Sequence, residues 1–222
     1  MKEIIEKAIG NGRKALSEYE SKKLLAAYGV PVTREELAAS REEALEAASK
    51  IGYPVALKAC SPEITHKTET GLIALNLKTE EEVGEAYDRI MKDTGKKIDG
   101  VLIQEMIKGD RELMVGLIRD ETFGPCVMFG LGGIFTEALE DVTFRVAPLE
   151  KRDAAEMIGE IRGSKILDAF RGGEPVDREI LCEILINVGK IGLDFEQVKE
   201  IDINPLIIAG GRPVAVDALV VL

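Results

Sequence analysis

The sequence predicts an α+β protein, because helical and strand-like patterns alternate along its 222 residues. Between residues 30 and 130 these patterns follow the order β-α-β-β-α-β-β, which is typical of a split α+β unit. The rest of the chain predicts a second α+β unit, built around a hairpin near its end. No linker rich in Pro, Gly or Ser separates them, so we expect two subdomains with a tight boundary.

The first half of the chain predicts capped helices alternating with short strands. A helix over residues 17–28 is followed by VPVT, residues 30–33, which predicts a strand. Ser40 and Thr79 are the N-cap candidates of two further helices, and Ser40 has Glu43 three residues on, as in a capping box. The other strand-like runs are YPVALKAC, GLIALNLK, GVLIQEMI and RELMVGLIRD.

The second half begins with the strand-like run PCVMFGLGG, which leads into glycines. The pattern then becomes helical over residues 153–167 and again over residues 177–193. The chain ends with EIDINPLIIAGGRPVAVDALVVL, which predicts a hairpin whose turn is Ala209–Arg212.

The composition excludes several classes of protein. With 45% hydrophobic and 31% charged residues, the chain is globular rather than disordered. The formal net charge of −11 argues against nonspecific binding to nucleic acid or anionic membrane, because both would repel it. The N-terminal segment lacks the apolar core of a signal peptide, and no apolar run approaches the length of a bilayer span. We therefore expect a cytoplasmic protein.

Two strand ends carry polar groups that suit a nucleotide. Lys58 interrupts the apolar run VALKA, where an unpaired ammonium would be costly, so it needs a negative partner. It is equally explained as a strand-end lysine that reaches solvent or pairs with a carboxylate. The backbone at Glu105–Ile107 could pair with a purine edge, and Glu105 or Glu112 could bind a ribose hydroxyl. Taken alone, this segment is also an ordinary strand end with a solvated acid.

The glycine-rich stretch FGLGGIFTE suits the approach of an anion, because Gly130, Gly132 and Gly133 leave the backbone amides unobstructed. The stretch matches neither G-x-x-x-x-G-K-[ST] nor a dinucleotide-binding fingerprint, so a plain turn explains it equally well. Arg145 could add a fork of donors to such an anion, or could be a surface cation on a strand.

The terminal hairpin carries the metal candidates. Asn204 and Asp217 are predicted on two strands joined by a short turn, where their oxygens could converge on one hard cation. Magnesium at nucleotide sites is held by one or two protein oxygens together with phosphates and water. Asn and Asp at strand ends are also common turn formers, so the pattern by itself leaves both interpretations open.

Together these segments resemble the β subunit of ADP-forming acetyl-CoA (acyl-CoA) synthetase, an ATP-grasp protein related to the succinyl-CoA synthetase β subunit. The resemblance runs in order over nearly the whole chain. The segments that carry it are LSEYESKKLLAAYGVPV, PVALKACSPEITHKTETG, VLIQEMIKGDREL, FGLGGIFTEALEDVTFRVAPL, EIDINPLII and VAVDAL. It implies the ATP-grasp fold, with two α+β subdomains gripping a nucleotide. We expect a helical segment over residues 1–28, available to a partner subunit, and subdomains over residues 29–104 and 105–222.

The resemblance also implies roles in nucleotide binding. Lys58 contacts the nucleotide phosphates, which would supply the anion that its surroundings require. Glu105 and Ile107 lie at the adenine, and Glu112 lies near the ribose. The other implied members of the nucleotide site are Gly132, Gly133 and Arg145, the two glycines in a loop near the phosphates and the arginine assisting them.

The metal and phosphoryl-transfer roles follow in the same way. Asn204 and Asp217 hold magnesium, and Asp202 orients a histidine or the water on the metal. His66, the only histidine of the chain, lies in the motif S-P-x-I-x-H-K, which implies a second phosphoryl carrier between a histidine of the α subunit and ADP. For an arbitrary lone histidine, a local hydrogen bond to Thr65 or a backbone carbonyl would be the ordinary explanation.

The implied activity is the reversible conversion of acyl-CoA, ADP and phosphate into acid, CoA and ATP through phosphohistidine. CoA binding and the first phosphohistidine belong to an α subunit, which joins the β subunit in an α2β2 heterotetramer or in one fused chain. Two other functions stay open at this point: an ATP-grasp carboxylate ligase of another type, and a noncatalytic nucleotide-binding regulatory subunit.

Overall fold

The protein is represented by a computed structural model that describes residues 1–62, 72–94, 98–109, 111–133, 141–169 and 172–222. Contacts between residues divide the chain into two compact units. The larger unit consists of Met1–Leu16, Glu20–Val32 and Ile107–Leu222, and the smaller consists of Ser17–Tyr19 and Thr33–Met106.

Six α-helices and ten strands lie within these described ranges. The helices are α1 (Lys2–Gly10), α2 (Glu18–Ala27), α3 (Arg41–Ile51), α4 (Glu80–Asp93), α5 (Lys151–Glu160) and α6 (Arg178–Asp194). The strands are β1 (Glu35–Ala38), β2 (Val55–Cys60), β3 (Ile73–Leu77), β4 (Gly100–Glu105), β5 (Glu112–Asp120), β6 (Gly124–Leu131), β7 (Val142–Val146), β8 (Glu200–Ala209), β9 (Arg212–Ala215) and β10 (Leu219–Val221). None of the helices in these ranges is long and apolar enough to cross a membrane.

The smaller unit is an antiparallel sheet in the order β1-β4-β2-β3 with α3 and α4 packed against it. Both helix caps predicted from the sequence are present. Ser40 accepts a hydrogen bond from the Glu43 N–H, and Thr79 forms a reciprocal capping box with Glu82. Every residue of β2 is buried, including Lys58, so the lysine lies in the interior of the unit.

The larger unit is built on an antiparallel sheet in the order β10-β8-β5-β6-β7, with β9 paired to the far part of β8. Helices α5 and α6 pack on one face of this sheet, where Leu117, Val127 and Ile201 are buried. Side chains alternate between the faces of a strand, so the neighbouring residues Ile118 and Asp202 lie on the other face. The strand β8 therefore contributes to the core and to the opposite face at once.

The N-terminal helices belong to the core of the larger unit. Ile5 of α1, together with Leu24 and Leu25 of α2, joins the apolar cluster that includes Leu117 and Val127 of the sheet. The segment 1–28, which the sequence set apart, thus contributes buried side chains to this unit, apart from the three residues assigned to the smaller one. Its use as a surface for a partner stays a prediction.

From its first helix onward the predicted order, α-β-β-α-β-β, is confirmed by α3, β2, β3, α4, β4 and β5. The predicted strand at residues 30–33 is wrong, because Val32 forms only an isolated bridge to Ala215 and the first strand begins at Glu35. Pro31 has no N–H for a ladder, and it contributes only its carbonyl, which accepts from the Ala215 N–H at 2.9 Å.

The predicted helix over residues 153–167 is shorter than expected. Helix α5 ends at Glu160, and a 3₁₀ turn over Ser164–Leu167 follows it. The interruption includes Gly163, where an added Cβ would lie 2.6 Å from Leu131 Cδ1, so the backbone approaches the sheet too closely for a longer side chain.

Gly192 tests the packing of α6 on the sheet. A Cβ at this position would lie 2.6 Å from Leu117 Cδ1 and 2.8 Å from Pro125 Cβ. We expect Gly192→Ala to lower the free energy of unfolding by about 1–3 kcal/mol, because the helix must move or the side chains must repack. Urea unfolding measures the change. The matched control is Gly159→Ala in α5, where nothing lies within 4 Å and the variant should gain up to about 1 kcal/mol. Equal effects of the two substitutions would contradict this packing.

Candidate functional site

Lys58 has a partner in the protein itself. Its Nζ lies 2.7 Å from Glu18 Oε1, and the side chains of the two residues are only 6% and 2% exposed. Both belong to the smaller unit. The negative partner that the sequence required is therefore Glu18, a pairing that sequence analysis missed.

At the end of β4, the Glu105 carboxylate is held by Arg34. One carboxylate oxygen accepts from the Arg34 backbone N–H at 2.7 Å and the other accepts from Arg34 Nε at 2.8 Å. The Glu105 N–H in turn donates to the Arg34 carbonyl, and the Met106 N–H donates to Pro54. The strand end is thus a fixed segment, and Ile107 begins the part of the chain assigned to the larger unit.

In the larger unit, the structure brings together three residues predicted for the nucleotide site. The Gly132 N–H donates to the Glu112 carbonyl at 2.8 Å, and an added Cβ on Gly132 would lie 2.8 Å from the Leu113 carbonyl oxygen. At Gly133, which has a φ of +65°, an added Cβ would lie 2.6 Å from Glu112 Oε2. Glycines suit this close approach because they carry no Cβ. The backbone of Gly132 and Gly133 therefore lies directly beside Glu112.

The register of β8 places Asn204 opposite Asp217. Strand β8 pairs with β9 at Leu206↔Ala215 and with β10 at Asp202↔Leu219. These two pairings have the same register, and Asn204 and Asp217 are the positions that face each other between them. Asp217 does not lie on a strand as predicted, since it belongs to the three residues between β9 and β10. It accepts a hydrogen bond from the Ala218 N–H at 2.8 Å.

Asp202 lies on the same face of β8 as Asn204, two residues earlier. Burial, and to a lesser extent the negative charges of Glu200 and Asp217, raise the pKa of its carboxyl to about 6. The charge of Asp217, one of the two predicted metal ligands, therefore raises the pKa of Asp202, which was predicted to orient a histidine or the water on the metal. We call Asp202, Asn204 and Asp217 the acidic cluster.

This cluster fits a magnesium ion. Carboxylate and amide oxygens are ligands that Mg²⁺ accepts, and the repulsion that disfavours ionised Asp202 would be relieved by a cation. Within the described part of the chain, no group of three or more His, Cys, Asp or Glu side chains is placed to hold a metal. A site of one amide and one carboxylate oxygen is consistent with that finding, because Mg²⁺ at nucleotide sites takes most of its ligands from phosphates and water.

Two other predicted residues fall outside these groups. Arg145 lies on the helix-covered face of the sheet, in line with the buried Val127, and its guanidinium donates to Glu160 of α5 at 2.6 Å. That salt bridge gives it a partner on the face opposite to Asp202. His66 lies in residues 63–71, outside the described residues.

Sequence analysis also missed Lys22, which has no exposed surface and donates from Nζ to the Val216 carbonyl at 3.1 Å. Val216 precedes Asp217, so this buried ammonium helps to hold the backbone that carries a candidate metal ligand. A signal was available: Glu18, Lys22 and Leu25 lie at helical spacing, which places two charges on the same face of the helix as a core leucine.

Comparison with known families identifies the family of the chain. A family model described as ATP-grasp domain matches residues 7–222. The chain belongs to the ATP-grasp family. The fold class expected from the resemblance is confirmed by this match.

Within the ATP-grasp family, the relatives are ligases that form acyl-CoA. The chain is 47% identical over 226 residues to the beta subunit of acetate–CoA ligase (ADP-forming) I of Pyrococcus furiosus, a match that covers 100% of this chain and 97% of that subunit. This places the chain with the β subunits of ADP-forming acetate–CoA ligases, so the family recognised from the sequence motifs is confirmed.

Solved structures agree with this assignment. The chain superposes with a TM-score of 0.95 and 45% identity on acetyl-coenzyme A synthetase 1 of Candidatus Korarchaeum cryptofilum in complex with coenzyme A and Ca-AMPCP, covering 100% of this chain and 99% of that one. A second structure of that enzyme holds coenzyme A and Mg-AMPPCP, with its phosphohistidine segment pointing towards the nucleotide-binding site. Its TM-score is 0.90 at 44% identity, with the same coverage.

The raised pKa of Asp202 makes the stability of this ATP-grasp chain depend on pH. The folded state binds the proton more tightly than the unfolded state, whose aspartate pKa is about 3.9, so this contribution is complete below about pH 4 and is lost as pH rises to about 6. At pH 8 the ionised carboxylate therefore costs about 1–3 kcal/mol, which Asp202→Asn should recover.

Urea unfolding of Asp202→Asn in a chelating buffer, between pH 5 and pH 8, measures this difference. The gain in stability over the unmodified chain should grow up to about pH 7 and then stay level. Glu121→Gln, in the exposed turn after β5, is the control and should show no such growth. An Asp202→Asn variant less stable than the unmodified chain at pH 8 would contradict the assignment.

Proposed function

We propose that this chain is the nucleotide-binding β subunit of an ADP-forming acyl-CoA synthetase. The overall reaction converts acyl-CoA, ADP and phosphate into acid, CoA and ATP, and it is reversible. The observation that carries the proposal is the match at 47% identity over 97% of a β subunit named for this activity. The acidic cluster on β8 and the glycine loop beside Glu112 supply the groups that a magnesium nucleotide needs.

The partner in this proposal is an α subunit that binds CoA and carries the first phosphohistidine, in an α2β2 heterotetramer. The support is the designation of the P. furiosus relative as a subunit. The two K. cryptofilum structures compared above both contain coenzyme A, and in the second a phosphohistidine segment points towards the nucleotide-binding site. In this chain, the histidine that would receive the phosphoryl group is His66.

Lys58 of the smaller unit is proposed to contact the phosphates, and the segment that follows β4 to bind the purine. The Glu105 and Met106 N–H groups already donate to backbone carbonyls, so Ile107 is the residue whose amide we assign to the base. The Glu105 carboxylate accepts hydrogen bonds from Arg34 at both oxygens, and we propose that it fixes the position of this strand end.

In the larger unit, Glu112 is proposed to bind the ribose, and the amides of Gly132 and Gly133 to approach the phosphates. Asn204 and Asp217 would hold Mg²⁺, which neutralises phosphate charge when it is bound. Asp202 would orient water on the ion. Arg145 is not part of this assignment, because its guanidinium pairs with Glu160 on the other face of the sheet.

His66 is proposed as the second phosphoryl carrier. A neutral imidazole nitrogen is nucleophilic near pH 7 and can accept the phosphoryl group from the phosphohistidine of the partner, which regains its own neutral ring. Transfer to ADP then gives ATP and restores His66. Such transfers depend mainly on alignment and on neutralised charge.

The carrier role predicts a covalent label on this chain. Incubation of the chain and its α partner with ATP labelled at the γ-phosphate should leave acid-labile phosphate on the β chain, and His66→Ala should lose it. Because His66 is the only histidine of the chain, label in phosphohistidine can have only this location. Acetyl-CoA-dependent ATP synthesis should fall at least about 100-fold.

Two outcomes would overturn this assignment. Full ATP synthesis by His66→Ala with the α partner present would exclude the carrier. Binding of ATP without label and without ATP synthesis in the unmodified complex would indicate another ATP-grasp ligase or a regulatory subunit. Mass analysis of proteins that copurify with the chain identifies the partner used in both assays.

The magnesium site predicts a metal-dependent thermal shift. At about 100 times its dissociation constant, MgADP should stabilise the chain by about 2.7 kcal/mol, or roughly 5–10 °C in Tm. The double variant Asn204→Ala/Asp217→Ala should lose the part of this shift that requires Mg²⁺. Glu121→Ala, which removes one exposed charge in the turn after β5, should retain it. An unchanged shift in the double variant would refute the site.

A further inference from the structure

The ion pair between Lys58 and Glu18 bears on how the protein binds a nucleotide. We propose that Glu18 is a positioning residue, which holds the Lys58 ammonium in the place where it meets the phosphates of a nucleoside diphosphate. This inference rests on the proposed function, in which Lys58 contacts phosphate. Glu18 itself is not assigned any contact with the nucleotide.

The energetics of the pair favour a role beyond stability. Both charges are removed from water, with the side chains 6% and 2% exposed, and desolvation on this scale cancels most of the attraction. Apolar side chains of similar volume often replace such a pair without loss of stability. The residues on either side of Lys58 in β2 are Leu57 and Ala59, both with no exposed surface, so an apolar residue would suit this strand.

The geometry favours positioning. Lysine carries its charge on a long flexible stem and loses much rotamer freedom when it is fixed. Glu18 accepts from Lys58 Nζ at 2.7 Å, and both residues belong to the smaller unit. The carboxylate thus fixes the position of the ammonium, which lowers the ordering cost of binding.

The same division of labour is known in protein kinases, where a strand lysine binds ATP phosphates and pairs with a helix glutamate. That arrangement occurs on a different fold, so it supports the chemistry and not a relationship. The ammonium has three N–H groups, so its hydrogen bond to Glu18 is compatible with further bonds to phosphate oxygens.

The test compares ligands with and without phosphates. Dissociation constants of MgADP and of adenosine are measured by calorimetry on the full chain and on Glu18→Gln, Lys58→Met and the double variant. Glu18→Gln should weaken MgADP binding about tenfold and leave adenosine unchanged, because only the phosphate contact is misplaced. In the Lys58→Met background, Glu18→Gln should have no further effect on MgADP.

The matched control is Glu20→Gln, two residues along α2. Glu20 is also an acid in an ion pair, with Arg13 at 2.8 Å, but it belongs to the larger unit. This variant should bind MgADP as the unmodified chain does. Glu18→Asp provides a second measurement if Glu18→Gln does not fold. It keeps the charge but withdraws the carboxylate, and it should also lose MgADP affinity without losing adenosine affinity.

The outcomes separate this inference from the function on which it rests. Failure of the unmodified chain to bind MgADP would contradict both. Unchanged MgADP binding by Lys58→Met would remove the phosphate role of Lys58, and the positioning role with it. If Lys58→Met loses affinity while Glu18→Gln and Glu18→Asp do not, only the inference is overturned. Tighter MgADP binding by Glu18→Gln would also overturn it, since Glu18 would then compete with phosphate.

Discussion

The pairing of β8 is the constraint on which the larger unit depends. This strand pairs with β5 along one edge and with β9 and β10 along the other. Its alternation buries Ile201 and Ile203 in the core and places Asp202 and Asn204 on the opposite face. A slip of one residue would exchange these two sets, so the hydrophobic core itself determines where the acidic cluster lies.

Buried charges show how function shapes the rest of the chain. Lys58 and Lys22 are both buried, and in each case a named acceptor lies near the ammonium: the Glu18 carboxylate for the first and the Val216 carbonyl for the second. Glu18 and Lys22 are four residues apart in α2. The proposed function accounts for charges on the buried face of a helix, because it assigns ligand contacts to Lys58 and to Asp217, the residue after Val216; a purely structural helix would be apolar there.

The sequence predicted those parts of the fold that depend on interactions between residues close together in the chain. The N-cap at Thr79 and the turn at Ala209–Arg212 depend on residues within a few positions of each other, so the sequence shows them directly. The strand expected at residues 30–33 was wrong because a strand needs a neighbour, and Val32 finds only a single bridge. The pairing of Arg145 with Glu160, fifteen residues away on a helix, is likewise a contact that the local sequence does not show.

The sequence by itself determined the family, the order of the elements and the pairing of Asn204 with Asp217 as candidate ligands, since these depend on motifs and on a short hairpin. Only the tertiary structure decided which partner Lys58 has and that Asp217 raises the pKa of Asp202. The physical reason is that desolvation and charge interactions depend on distance in space. Glu18 and Lys58 are 40 residues apart along the chain and 2.7 Å apart in the folded protein.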